Sequence, residues 1–373
     1  MKKIFFVSLI LLAQISFAKI PNKVILEKMH LAKSYFQTKW PDVGQVIVSP
    51  DRTRPSNIWT RAVFYEGLME LYKLDPKESD MKYMMDWGNF HQWGLRDGKI
   101  NTRNADNQAC GQVYIDLFLM GKGDSSLIKP IKTNIDNMVY STKADDWSWV
   151  DCLQMSMPVY ARLAKMYKDN AYWEKMYDLY AFTKNKHAVN GLYDPQEALW
   201  FRDKDFVLPY KEPNGEKCFW SRGNAWVYAA LVRTLEQMEA NSPHREEYVT
   251  MFQNMSKALL PLQRNDGFWT VSLKDPTNFG GPELTGTALF AYGFSYGMRT
   301  GLLDKKTYTK PLESAMKGLL TCVHPSGFLG NVQGTGKEPK DGQPVTFNSV
   351  PNFEDFGLGC FLLAGTEYLK LSK

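Results

Sequence analysis

Residues Trp220–Met238 read WSRGNAWVYAALVRTLEQM, and the segment after the next turn, 243–262, reads PHREEYVTMFQNMSKALLPL. The first is apolar on almost every helical face. The second carries its charges on one face and places Tyr248, Met251, Phe252, Met255 and Leu259 at helical spacing on the other. A helix that is apolar all round must be buried all round, whereas an amphipathic one covers a core and meets water. Side by side, the two describe one unit of a double layer.

The unit recurs. Apolar segments begin at Trp59 (WTRAVFYEGLMELYKL), Ala105 (ADNQACGQVYIDLFLMG), Trp147 (WSWVDCLQMSMPVYARLAKMY), Trp220, Glu283 (ELTGTALFAYGFSYGMRTGLL) and Phe353 (FEDFGLGCFLLAGTEYLKL). Amphipathic segments lie between and before them at 22–38, 77–93, 125–141, 171–186, 243–262 and 304–322. Twelve alternating helices predict an all-α (α/α)6 barrel, six inner and six outer, in one domain spanning 19–373. A repeat solenoid would make its helices more alike in burial and its period more regular.

Hairpin alternation makes the inner helices parallel, so their N-termini meet at one end. The unusual residues stand there: Asp106, Trp149, Asp151, Trp220, Arg222, Glu283 and Glu354. Carboxylates at helix starts can be caps. Capping does not account for indoles and an arginine at the same end. A buried guanidinium needs an acidic partner, so Arg222 meets either a protein carboxylate, with Glu283 or Asp106 as candidates, or an acidic ligand. Loops 187–219, 264–282 and 324–352 precede inner helices and are expected to surround this end.

Other chemistries are poorly supported. His30, His91, His187, His244 and His324 are isolated, without HxxxH or CxxC spacing, so no metal centre is expected. GNVQGTGK at 330–337 has the wrong spacing for a phosphate loop, and Glu338 follows where Ser or Thr is needed, so it reads as an ordinary loop. Cys110, Cys152, Cys218, Cys322 and Cys360 are odd in number and mostly lie in or beside apolar runs, which suits buried free thiols. There is no lysine- or arginine-rich run of nucleic-acid type. What remains is carboxylate chemistry. Asp151 lies among indole and thioether groups, where desolvation favours the protonated form. Asp106 starts the preceding inner helix, and paired carboxyls push each other's proton affinities apart.

The leader MKKIFFVSLILLAQISFA, residues 1–18, has a Lys2-Lys3 head, a short apolar run and a small-x-small end at Ser16–Ala18. It reads as a secretory signal, too short for a membrane span, and implies export, with the periplasm as destination. Its removal lowers the net charge from +5 to about +3.

Six stretches in order, NADNQACGQVYIDLF, WSWVDCLQMSMPVYARLAK, FWSRGNAWVYAALVR, LLPLQRNDGFW, PELTGTALFAYG and GCFLLAGTEYLKL, resemble the unsaturated glucuronyl and rhamnogalacturonyl hydrolases of glycoside hydrolase family 105, related to family 88. The resemblance runs from Trp59 to the C-terminus and implies the same barrel. It places the catalytic aspartate on Asp151 and the second acid on Asp106. It puts Arg222 near a substrate carboxylate, with Trp220 and Trp226 beside it; Trp59, Trp149 and Glu283 complete the expected binding set. The implied substrate is an oligosaccharide ending in a 4,5-unsaturated uronic acid. Protonation at C4 and addition of water at C5 give an unstable hemiketal that expels the rest of the sugar. No metal or organic cofactor is implied, nor a membrane or nucleic-acid partner, and a monomer is expected. Two positions depart from the pattern: ALWFRDKDF carries Phe201 and Arg202 where relatives have a histidine, and Asp106 is followed by Asn107 rather than a second aspartate. A polysaccharide lyase and a non-catalytic sugar binder are the competing readings.

Overall fold

The computed structural model describes residues 19–49, 52–351 and 355–372. The leader 1–18 and Glu354 lie outside the described residues. Six helices form the inner ring: α2 (Trp59–Leu74), the broken pair α4 (Ala105–Gln108) and α5 (Gly111–Leu119), α7 (Asp151–Tyr167), α9 (Ser221–Leu235), α11 (Leu284–Thr300) and α13 (Asp355–Leu371). Each packs on the next, and α13 packs on α2, which closes the ring. Around them run α1 (Asn22–Lys39), α3 (Glu78–Phe90), α6 (Lys129–Val139), α8 (Asn170–Asn185), α10 (Arg245–Leu259) and α12 (Lys305–Thr321). The ring, rather than an open solenoid, is the architecture.

Burial follows the sequence pattern. Every residue of α9 is buried, whereas α10 buries only Tyr248, Met251, Phe252, Met255, Ser256 and Leu259. Each large apolar side chain taken fully from water contributes about 1.5–3 kcal/mol, so the inner helices supply most of the core. Closure depends on close backbone approach: a Cβ on Gly67 of α2 would lie 2.6 Å from the Gly359 carbonyl oxygen of α13, and one on Gly359 would lie 2.2 Å from that of Val63. Only glycine fits such a seam. The second inner element breaks at Ala109–Cys110, where the pattern alone suggested one continuous helix. All five cysteines are buried and free.

Two small hairpins decorate the N-terminal end of the ring, β1 (Ile47–Ser49) with β2 (Arg52–Arg54), and β3 (Tyr193–Asp194) with β4 (Leu199–Trp200). Long loops are fastened to the leads of inner helices by single bridges, Trp149 to Asp203, Trp220 to Ser272 and Trp269 to Glu283. These bridges bring loop side chains over the barrel mouth. Among the described residues no helix is long and apolar enough to cross a membrane.

Candidate active site

A cavity of about 600 Å³ opens at this end, lined by Thr53, Arg54, Ile58, Trp59, Arg96, Asp106, Trp149, Asp151, Arg202, Thr335, Gly336, Lys337 and Asp341. Four of the eight expected side chains are brought together here: Asp106, Asp151, Trp59 and Trp149. Both carboxyls stand in the first turns of their helices, where the helix dipole suits them. Trp59 is half-buried and meets Trp226 edge-on, with ring centroids 6.1 Å apart.

The two acids are held differently. Asp151 accepts from Arg202 Nε at 3.0 Å, and the same guanidinium donates through Nη1 to Asp203 at 2.6 Å. Arg202 is placed by backbone pairing: the Val150 N–H donates to the Arg202 carbonyl at 2.9 Å, and Trp149 bridges to Asp203. Asp106 follows an Asn104 cap whose side chain accepts from the Asp106 N–H. Among the described residues nothing donates to its carboxyl oxygens. Burial, and then the negative charge of Asp151, push the Asp106 carboxyl up to about 7, against the opposing pull of Arg202, Arg54 and Arg96. An environment that favours the protonated acid is thus present at Asp106, beside the Asp151–Arg202 pair.

The remaining expected residues lie behind the cavity wall. Arg222 is 1% exposed, sandwiched against the Trp220 and Phe356 rings. It donates to the carbonyls of Gln333 (2.9 Å) and Gly334 (2.7 Å). Its partners are therefore backbone dipoles of the 324–352 loop, not a carboxylate facing the cavity. Burial lowers its pKa. Trp220 Nε1 donates to Gln333 Oε1 at 3.0 Å, and Trp226 is fully buried. Glu283 caps α11, accepting from the N–H groups of Thr285 (2.9 Å) and Gly286 (2.8 Å). Trp220, Arg222 and Glu283 stand at inner-helix starts, and their side chains turn inward to hold the loop.

Four cations of the cavity, Arg54, Arg96, Arg202 and Lys337, were missed by helix-start reasoning because they come from a hairpin, a turn and two loops. One signal was visible: the stretch with Phe201 and Arg202 departs from the family pattern where a histidine might fall. The 330–337 stretch is a loop, and its last residues, Thr335 to Lys337, form one wall. Among the described residues no three His, Cys, Asp or Glu side chains gather as a metal site.

The Glycosyl Hydrolase Family 88 sequence model matches residues 29–372. The chain belongs to that family. It is 32% identical over 334 residues, 84% of this chain and 85% of the relative, to an unsaturated 3S-rhamnoglycuronyl hydrolase of Formosa agariphila. Among solved structures, a family 88 glycosyl hydrolase from Bacteroides vulgatus superposes with a TM-score of 0.83 at 32% identity, covering 94% of this chain and all of that one. A polysaccharide lyase gives 0.83 at 31% identity, covering 94% and 97%. A possible family 105 member from Salmonella enterica, at 19% identity and a TM-score of 0.75 over 96% of each chain, shares the fold. The family 88 chain is a glycoside hydrolase, and with the family 105 structures it shares the fold.

Proposed function

We propose that this hydrolase removes a terminal 4,5-unsaturated uronic acid from lyase-generated oligosaccharides by acid-catalysed hydration of the C4=C5 bond. The observation that carries the reading is one cavity holding two adjacent carboxyls, Asp106 and Asp151, with three arginines and a lysine. The carboxyls fit a proton donor and a proton acceptor; the cations fit the uronate. Trp59 and Trp149 offer ring faces to the sugar. Arg54, Arg96 and Lys337 are the side chains we assign to the carboxylate and to anionic groups on the next sugar. The name of the Formosa relative makes rhamnose-linked substrates, with and without a sulfate ester, the first to try.

The chemistry needs no group beyond these residues and water. The π electrons of C4=C5 take a proton at C4, and the ring oxygen stabilises the cation left at C5. Water adds there and gives up a proton. The hemiketal opens to a 5-keto sugar, and the hemiacetal left at C1 collapses, releasing the aglycone as an alcohol.

The likeness to a polysaccharide lyase supports a second reading, and one experiment separates the two. Purified protein is given unsaturated disaccharides and, separately, the intact polymers, while ultraviolet absorbance of the conjugated double bond is followed. Hydration removes that absorbance; lysis creates it. Gain on polymer without loss on disaccharide would overturn the hydrolase reading. We further propose that the chain acts as an exported, periplasmic monomer after cleavage at Ala18. N-terminal sequencing of the secreted protein is expected to begin at Lys19.

A further inference from the structure

A cavity of about 520 Å³ also opens at the end of the barrel opposite the mouth, walled by the last turns of α11 and α13 and the first half of α12. Its wall holds Glu313, which is 7% exposed. Glu313 Oε1 accepts from the Tyr368 hydroxyl at 2.5 Å. Glu313 Oε2 is buried and has no hydrogen-bond partner among the described residues. A carboxylate taken from water with one oxygen unmet is costly. The oxygen calls for a donor, and a charged donor serves it best.

Lys19 stands on the rim of the same cavity. Its position is fixed from the C-terminal side. Ile20 is buried in the core, Pro21 caps α1, and the Val24 N–H donates to the Pro21 carbonyl at 3.0 Å. The Lys19 backbone nitrogen is therefore one residue from an anchored point. It is also the atom that cleavage after Ala18 turns from an amide into an amine.

We propose that Glu313 is the binding site for the chain's own new N-terminus: the α-ammonium of Lys19, created by removal of the leader, docks on Glu313 Oε2. The inference rests on the cleavage reading above for where the mature chain begins. Water adds across the Ala18–Lys19 peptide bond, leaving a carboxylate on Ala18 and an ammonium on Lys19. Before cleavage that nitrogen carries one N–H and no charge; afterwards it carries three N–H groups and a full positive charge. The pairing is open only to the processed chain. It ties the lead of α1 to α12 and, through Tyr368, to α13.

The other charged groups at this cavity are the side-chain ammonium groups of Lys19, Lys305, Lys306 and Lys310, all on exposed residues. They compete for the carboxylate. Each would give up hydration and the rotamer freedom of a long stem to reach a buried oxygen. The α-nitrogen is already placed by Ile20 and Pro21, so its docking needs less ordering.

The test uses a chain released from a fusion partner by a protease that leaves Lys19 as the first residue, so it does not depend on cleavage in the cell. Two chains are compared with it. One retains Ala18, which moves the amine by one residue; the other carries Glu313→Gln, which keeps an acceptor for Tyr368 and removes the charge. Limited acylation near neutral pH, read by peptide mass spectrometry, follows the α-amine separately from the lysines. In the chain beginning at Lys19 the α-amine is expected to react about tenfold more slowly than in either comparison chain, the protection a charged hydrogen bond gives. Lys305 and Lys306 should react alike in all three. The proposal is overturned if the α-amine reacts equally fast in all three folded chains, or if its protection survives Glu313→Gln. It is also overturned if a lysine side chain, rather than the α-amine, is the group that loses protection in Glu313→Gln. Failure of the cleavage reading looks different: the exported protein would begin at a residue other than Lys19, whatever the acylation of the defined chain shows.

Discussion

Helix α7 carries an acid–guanidinium pair at each end, and the two behave as different objects. At its C-terminal half Arg162 grips Asp116 with two bonds, Nε at 2.7 Å and Nη2 at 3.2 Å, and gives Nη1 to the Pro158 carbonyl. Both side chains are largely buried, at 4% and 7% exposure, although Arg162 also edges a further cavity of about 500 Å³ with Glu70, Lys73 and Glu236. Burial works against the Asp116 anion, but Arg162 and Lys73 overcome it and hold the carboxyl at about 2. At the N-terminal end Arg202 meets Asp151 through one nitrogen, shares itself with Asp203 and faces an open cavity. A bidentate grip marks architecture; a single, shared bond facing the cavity that also holds Asp106 marks a site. An acid paired with a cation is no functional signal by itself. What it leaves unsatisfied toward solvent is.

The sharpest break of this comparison is at the open end. Asp151→Asn and Asp106→Asn are each expected to lower kcat by 10²–10⁴, the usual worth of a positioned acid or base, with the melting transition retained. Steady-state kinetics beside a thermal melt check this. More than about a tenth of wild-type turnover in either variant would remove that residue from the chemistry. At the bidentate end the expectation reverses. Arg162→Met leaves Asp116 buried without its main partner and should cost about 3–5 kcal/mol of stability, read by denaturant unfolding, while specific activity per folded molecule stays close to wild type.

The two ends also differ in how pH acts on them. The folded-state pKa of Asp106 lies near 7, above the roughly 3.9 of an unfolded aspartate. Between those values the native chain holds a proton that the unfolded chain has released, so this carboxyl's contribution to stability falls as pH rises from about 4 to 7, then levels off. Asp106→Asn abolishes that term. The variant should be more stable than wild type above neutral pH, with the advantage shrinking toward pH 4, as urea melts across that range would show. Glu66, buried deeper in the barrel and also at about 7 through burial, acts in both proteins and cancels in the difference.

How far the sequence could be read follows the same division. The ring was legible because a helix with no polar face, such as α9, has one physical solution. Asp106, Asp151, Trp59 and Trp149 were legible because parallel inner helices must deliver their starts to one end. Arg202, Arg54, Arg96 and Lys337 were not, since a loop has no period and its placement depends on tertiary bridges such as Trp149–Asp203. Arg222 and Glu283 stand at the proper end, yet their orientation is set by neighbours about fifty to a hundred residues away. The backbone of Gln333 meets both, its carbonyl accepting from Arg222 and its N–H donating to Glu283.

The smallest expected effect sharpens the contrast between the two arginines of the barrel mouth. Arg222 spends its two Nη donors on the Gln333 and Gly334 carbonyls, which hold the loop that continues into the Thr335–Lys337 wall. Arg222→Lys keeps the charge but cannot reproduce both bonds from one ammonium in the same place, leaving one buried carbonyl unsatisfied at a cost of about 1–3 kcal/mol. The loss should appear as a lower melting temperature and a modest rise in KM as the wall loosens. Preference for a free uronate over its methyl ester is a separate matter, because the proposed function gives that choice to cations lining the cavity, and Arg222 does not line it. Wild type and Arg222→Lys are therefore expected to discriminate acid from ester equally well, whereas Arg54→Met or Arg96→Met should erode the preference. Competitive turnover of the acid and ester forms of one disaccharide measures it directly. If Arg222→Lys alone abolished the discrimination, Arg222 would have to leave its carbonyls and turn into the cavity when substrate binds.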